Sequence, residues 1–257
     1  MALNILTLNV GRMLQERTRG YLSALTGPDV LLLQDLPYRD LSLLEYYPHV
    51  VFAPMTNHFI NGVRAVVGVA VASRYFLTDV MHHTTWGDGL LKDLQGINDK
   101  NQRHLGAKSD VLVETSEDRV VICAKVVKGL EEYDVATTHG MWVRDGIVND
   151  VQRHSTKLLR GALAKEVSRR GGLVFAADMN MARGGEIYRM LGETLRDEMP
   201  PEIENTLDPD HPYVKRGGKV VTDYVMTANR RTIYQVADVS LHPGVSDHCA
   251  VSATITK

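Results

Sequence analysis

Residues 173–180 read LVFAADMN: an unbroken apolar run that stops at Asp178 and Asn180. Bounded upstream by Gly171-Gly172, such a run predicts a short strand buried on both faces. Polar groups are costly inside such a strand, so Asp178 and Asn180 mark the point where it leaves the core. The same shape recurs along the chain. An expected strand over 3–10 ends in Asn9, one over 29–35 ends in Gln34-Asp35, and one over 133–138 leads into Thr138-His139. Asp223-Tyr224 falls within an expected strand over 220–227, and Ser246-Asp247-His248 precedes the last, over 249–256.

Further strands are expected near 49–53, 64–73, 110–116, 119–127 and 234–241, from alternating or continuous runs of Val, Ile and Leu. Helical periodicity appears over 14–26, which stops at Gly27-Pro28, over 146–169 with Asp145 as N-cap and Gly171-Gly172 as terminator, and over 184–192. Strands outnumber helices, and the helices fall between groups of strands. This predicts sheets packed face to face with helices outside. No repeat, low-complexity tract or Pro/Ser-rich linker interrupts the chain, so a single domain over 1–257 is expected.

Composition excludes several classes. The chain has 257 residues, 44% hydrophobic and 23% charged, which is globular and neither fibrous nor disordered. Lys plus Arg is 29 and Asp plus Glu is 31, a net charge of −2, which argues against a protein held on nucleic acid by a general basic field. The longest apolar run, Ala65 to Ala72, is far short of the roughly 20 residues of a membrane helix. MALNILTLNV lacks a basic leader and alternates like a strand, so no signal peptide is expected. Cys123 and Cys249 read as free core thiols, which fits a reducing, cytoplasmic setting.

If the strands are neighbours, the carboxylate, amide and imidazole groups at their ends converge. Acidic and amide oxygens suit a hard cation such as Mg²⁺, and two histidines with further carboxylates suit phosphoryl chemistry. Each element alone is weak, because an Asp-His pair or a D-x-N turn is common. Their order is the specific signal.

In that order, LTLNV with Asn9, LLLQD with Asp35, ATTHG with His139, AADMN with Asp178 and Asn180, VTDYV with Asp223, and VSDHC with Asp247 and His248, the sequence resembles the endonuclease/exonuclease/phosphatase (DNase I-like) superfamily. GVAVASRY, 68–75, is similar to that family's glycine-led strand. The resemblance implies the α/β (α+β) four-layer form of that sandwich, two packed mixed sheets flanked by helices, and a metal-dependent hydrolase of phosphate esters. It implies that Asn9 and Asp35 hold Mg²⁺ (or Mn²⁺), with Asp247 nearby as a further ligand. It also implies Asp178 as the base that orients and deprotonates water, Asn180 as an amide donor to the phosphate, and His248, paired with Asp223, against the phosphate. His139 is the second imidazole. Three positions depart from the family pattern: Asp35 replaces Glu and is one methylene shorter, Ala177 replaces Gly, and Gly140 replaces Leu.

Substrate choice rests with the loops. The aperiodic stretches 84–108 and 200–219 carry aromatic and cationic residues. Trp86, Lys92, Arg103 and His104 in the first, Trp142 and Arg144 after His139, and His211, Lys215 and Arg216 in the second are the candidate substrate contacts. Aromatic plus cationic groups beside a metal suit a nucleotide or nucleic-acid end. The leading expectation is therefore a Mg²⁺-dependent phosphodiesterase with a nuclease-like substrate. A diesterase or phosphatase for a small or lipid-like phosphate, and a catalytically weak binding protein, are the alternatives.

Overall fold

Two six-stranded sheets pack face to face. The computed structural model describes residues 1–13, 15–60, 62–91, 117–143, 146–228 and 233–257. The first sheet gathers β1 (Leu3–Asn9), β2 (Val30–Pro37), β3 (His49–Ile60), β4 (Val63–Ser73), β11 (Gln235–His242) and β12 (Ala250–Thr256), in the order β11-β12-β1-β2-β4-β3. The second gathers β5 (Phe76–Trp86), β6 (Arg119–Lys128), β7 (Glu131–Thr137), β8 (Val174–Asp178), β9 (Leu195–Asp197) and β10 (Asp223–Ala228), in the order β5-β6-β7-β8-β10-β9. The pairs β1–β2 and β7–β8 are parallel, and every other pairing is antiparallel.

The layers follow from the pattern of side chains. On β1, Leu3 and Ile5 face the second sheet, whereas Leu6 and Leu8 face outward. This is the period-2 alternation of a strand. The outward set is covered by α1 (Glu16–Ala24), whose Leu22 joins the same cluster. The second sheet is covered by α2 (Asp150–Arg170), whose Leu159 and Leu163 join the main core. Helix, sheet, sheet, helix is the expected four-layer order. Because both faces of the central strands are buried, their sequences read as unbroken apolar runs.

Several boundaries differ from expectation. Strand β5 was expected as loop from residue 84 onward and unassigned before that. It is an edge strand with exposed polar positions and two bulges against β6, so neither alternation nor an apolar run announces it. Strand β3 extends to Ile60 through a bulge rather than stopping at 53. Helix α2 begins four residues later than expected. Asn149 caps it by accepting from the Gln152 N–H at 2.9 Å, and Gly171 closes it at φ 81°. Helix α1 is shorter than expected, α3 (Glu186–Gly192) lies where expected, and the loop 200–219 holds one helical turn, α4 (Pro212–Lys215). The expected strand 110–116 and cap Asp145 lie outside the described residues.

One polar contact ties the sheets together beneath the strand ends. The Gln34 side chain, fully buried in β2, shares the two hydrogens of Nε2 among Thr7 Oγ1 (3.0 Å), Leu32 O (2.9 Å) and, across the sheet interface, Thr137 Oγ1 (2.8 Å). Gln34→Leu strands two buried hydroxyls and should cost about 1–3 kcal/mol. Chemical denaturation measures this, and an unchanged midpoint would show that the cross-sheet bond is not needed.

Candidate active site

Strands β1, β2, β7 and β8 end along one rim of the sandwich, and the polar groups read from the sequence meet there. Asp178, the last residue of β8, has no solvent exposure. Its Oδ2 accepts from Asn9 Nδ2 at 2.8 Å, a bond from the first sheet to the second, and its Oδ1 accepts from the Asn180 N–H at 2.9 Å. Two imidazoles face the same carboxylate, His139 Nε2 at 3.4 Å and His248 Nε2 at 3.8 Å. Asp178, Asp223 and His248 each place a ligand-type atom within 4.8 Å of the others.

The backbone explains the convergence. Gly140 follows His139 and lies so close to β8 that a Cβ would sit 2.2 Å from Met179 O. The Gly140 N–H donates to Asp178 O at 2.8 Å, which holds His139 beside Asp178. A side chain at position 140 would therefore not fit without moving the end of β8. Asp35 sits in a bulge of β2 against β4 with φ 55°, which aims its side chain at His139. Five non-glycine residues have positive φ among the described residues, and three of them, Arg12, Asp35 and Asn180, are at this site. Such strain concentrates where the surrounding structure dictates the conformation.

Asp223 faces Asp178 in the β8–β10 register and accepts from His248 Nδ1 at 3.0 Å. The same oxygen, Oδ2, also accepts from Thr206 Oγ1 at 2.7 Å and Thr222 Oγ1 at 3.0 Å. The loop carrying Asp247 and His248 is pinned from α1 and from the second long loop. Arg17 Nη2 donates to Ser246 O at 2.6 Å and Thr18 Oγ1 to Val245 O at 2.7 Å, while the Gly244 N–H donates to Asp208 Oδ2 at 2.6 Å. Asn180 Nδ2 lies 3.0 Å from His139 Nε2 and donates to Gly140 O at 3.2 Å.

Charge placement sets the protonation states. Burial opposes a charge on His248, but the Asp223 and Asp178 carboxylates outweigh it and push the imidazole up to about 10. His139 is likewise opposed by burial and pushed up to about 9, chiefly by Asp35. Asp178 is penalised by burial, yet His248, His139 and Asn9 hold it down at about 2. Burial raises Asp223 against the pull of His248. Asp35 is held well below the usual carboxylate range, against burial, by Arg12 and His139. The pocket therefore holds an ionised Asp178 between two imidazolium rings.

Asn9, Asp35 and Asp247 are the oxygen-bearing side chains expected from the sequence to hold a cation. The fit is supported by Gly11, at φ +55°. Its N–H donates to Asn9 Oδ1 at 2.9 Å, and a Cβ there would come within 2.8 Å of Asp247 Oδ1. A glycine thus keeps open the space between the two donors. Asp35 makes ion pairs with Arg12 Nε (3.4 Å) and His139 Nδ1 (3.3 Å).

The expected substrate contacts are more scattered. Trp142 is half exposed three residues beyond His139. Trp86 ends β5, and its ring meets His154 of α2 edge-on at 5.8 Å. Arg216 is exposed at the C-terminus of α4. His211, which caps that helix, is lowered by burial and feels the charges of Asp247, His248 and Arg216, so this segment borders the site. Lys92, Arg103, His104 and Arg144 lie outside the described residues. Sequence reasoning did not find Arg12 or Glu117, and it met Thr206 only within the loop step Asn205-Thr206-Leu207-Asp208. The only advance signals were Arg12's place three residues after Asn9 and Thr206's place in a polar loop.

Neither a protein-family model nor a curated protein matches the chain by sequence. Solved structures do match along its whole length. An endonuclease/exonuclease/phosphatase from Bacteroides vulgatus superposes with a TM-score of 0.68 at 12% identity, covering 100% of this chain and 99% of that one. D. rerio TDP2 complexed with a single-strand DNA product gives 0.66 at 17%, with 100% and 99% covered. Sphingomyelinase C from Streptomyces griseocarneus gives 0.64 at 13%, with 99% of each chain covered. The fold is DNase I-like. At these identities the DNase I-like likeness extends to architecture, and the chemistry has to be argued from the side chains.

The raised His248 predicts a pH dependence in metal-free protein. Its folded pKa of about 10 exceeds the ordinary 6.5, so its contribution to stability is full below 6.5 and is lost as pH rises through about 10. Thermal unfolding in EDTA should show His248→Gln losing less stability than wild type over that window. Parallel curves would contradict the assignment.

Proposed function

We propose that this protein is a divalent-metal-dependent phosphodiesterase acting on the ends of nucleic acids or nucleotides. The observation that supports it most is the convergence on one buried carboxylate, Asp178, of Asn9 and His248 from the first sheet and His139 from the second. A bound Mg²⁺ or Mn²⁺ would supply Lewis-acid polarisation of a phosphoryl oxygen and offset the developing charge. Asn9 and Asp35 would hold it, with Asp247 at hand.

The remaining chemistry belongs to the side chains. Asp178 is ionised, so it takes the proton as a water attacks phosphorus. Asn180 directs its amide at a phosphate oxygen once substrate replaces its present partners. Asp223 fixes the tilt of His248 by accepting from Nδ1–H, which leaves Nε2–H to donate to the phosphate. Thr206 and Thr222 in turn hold Asp223. His139, protonated, donates to a phosphate oxygen or to the leaving group. The site is a single catalytic unit within one domain.

A nucleic-acid substrate is favoured by the exposed Trp142 next to His139 and the cationic Lys215-Arg216 segment at the rim. An aromatic surface can stack a base while cations meet phosphate. The similar D. rerio TDP2 structure contains a single-strand DNA product, which agrees with this choice.

Labelled single- and double-stranded DNA, RNA, an abasic duplex, a 5′-tyrosyl end and bis-p-nitrophenyl phosphate, each with Mg²⁺, Mn²⁺ or EDTA, test the proposal. Turnover should require metal, and Asp178→Asn or His248→Ala should each lower it by about 10²- to 10⁴-fold. Wild-type turnover in both variants would refute the assignment. Binding of a polynucleotide should weaken steeply with salt, and a shallow slope would redirect the reading to a small phosphate.

A further inference from the structure

Where α2 crosses the second sheet, three side chains of metal-ligand type meet. His83 comes from the edge strand β5, Cys123 from β6 and Glu166 from the last turns of α2. Register brings the first two together. His83 lies opposite Val121, two residues before Cys123, so both side chains stand on one face of the sheet. One ligand atom from each of the three residues lies within 4.8 Å of the other two. Cys123 and Glu166 have no solvent exposure, whereas the His83 side chain keeps 16%. The two oxygens of Glu166 are divided between different partners. Oε2 accepts from Arg169 Nη2 at 2.5 Å and Arg170 Nε at 2.7 Å. Among the described residues, Oε1 meets only His83 Nε2, at 3.0 Å, and Cys123 Sγ makes no hydrogen bond.

We propose that His83, Cys123 and Glu166 form a metal site that takes a borderline-soft divalent ion of the Zn²⁺ class and ties β5 and β6 to α2. The site is independent of the phosphoesterase reading. Its donor set supports it first: one imidazole nitrogen, one sulfur and one carboxylate oxygen suit Zn²⁺, whereas a hard ion such as Mg²⁺ takes oxygens. Spacing supports it next. Zinc–ligand bonds of about 2.0–2.3 Å set tetrahedral donors about 3.3–3.8 Å apart, so His83 and Glu166 already stand close to that separation and the thiol has about 1 Å to close. The arginines on Oε2 leave Oε1 to the ion and hold the carboxylate in place, as the outer partners of a ligating carboxylate do. Charge also balances. Three carboxylates, Glu166, Asp79 and Asp134, face two guanidinium groups, Arg169 and Arg170, which leaves one negative charge. A zinc ion bound to one thiolate carries one positive charge. Binding breaks the Cys123 S–H bond, forms an S–Zn bond and releases the proton to the buffer. Burial and the Glu166 charge push the free thiol up to about 12, so the ion itself has to drive that loss. The tie falls where the ladder is weakest, because β5 is an edge strand with two bulges.

Co²⁺ replaces Zn²⁺ as a coloured probe, and a thiolate-to-cobalt charge-transfer band in the near ultraviolet reports a metal–sulfur bond. The rim donors, which are oxygens and nitrogens, give no such band. The experiment is a Co²⁺ titration of reduced, EDTA-stripped protein, with folding checked by circular dichroism. Wild type and Cys249→Ser should both gain the band, and Zn²⁺ should then abolish it. Cys123→Ser should lack it, and His83→Ala and Glu166→Gln should each need about tenfold or more Co²⁺ to reach it. No band in wild type would overturn the proposal, as would a band that persists in Cys123→Ser. Wild-type Co²⁺ affinity in His83→Ala would overturn it as well, and this variant decides the matter if either core variant fails to fold, because His83 is partly exposed.

Discussion

Asp178 is an ionised group with no exposure to water, and the cost of burying it is offset only by partners drawn from both sheets. Asn9 reaches it from β1 of the first sheet. His139 and His248 approach from the ends of β7 and β12. If the sheets slid by one residue, the carboxylate would lose its amide and face an apolar wall. The packing of the sandwich and the assembly of the rim are therefore one requirement. Gln34 repeats the device one layer deeper, with its amide shared between Thr7 and Thr137.

Around that carboxylate the charges alternate. Asp35 and Asp178 flank His139, and Asp178 and Asp223 flank His248. Each ring is pushed up by two acids; Asp35 and Asp178 are held down by the rings and Arg12, whereas burial raises Asp223. Such a network is costly to break at one member, because the neighbour is then left as an uncompensated buried charge. Under the phosphoesterase reading we propose, it also prepares the site for phosphate chemistry. A proton acceptor and two proton donors are fixed a few ångströms apart before any substrate arrives, so little reorganisation remains for the reaction step.

Much of this was legible in the sequence because burial writes itself into strands. The largely apolar strands that lead to Asn9, Gln34-Asp35 and Asp178 exist because helices cover both outer faces, and the polar residue ending each strand marks the rim. Where burial is one-sided or absent the signal fails. β5 lies at a sheet edge with Thr78, Asp79, His82 and Thr84 along it, and reads as loop. Helix α2 starts at its true cap, Asn149, because the cap depends on a local side-chain bond rather than on periodicity. Side-chain partners distant along the chain leave no local trace. Thr206 finds Asp223 17 residues later, and Glu117 meets His58 across 59. A buried acid ahead of a strand looks like a solvated turn until the fold supplies His58, Arg119 and Arg12. The short side chain of Asp35 was visible as a departure, but what lies beside it was not.

The central claim is that groups from Asn9 to His248 form one cation-and-phosphate pocket at the rim. The most direct measurement is anomalous scattering from crystals of the protein soaked in Mn²⁺. The account predicts a leading anomalous peak at the rim, in contact with Asp35 and beside Asn9. A well-occupied Mn²⁺ site elsewhere on the surface, with no peak between the ends of β1 and β2, would contradict it.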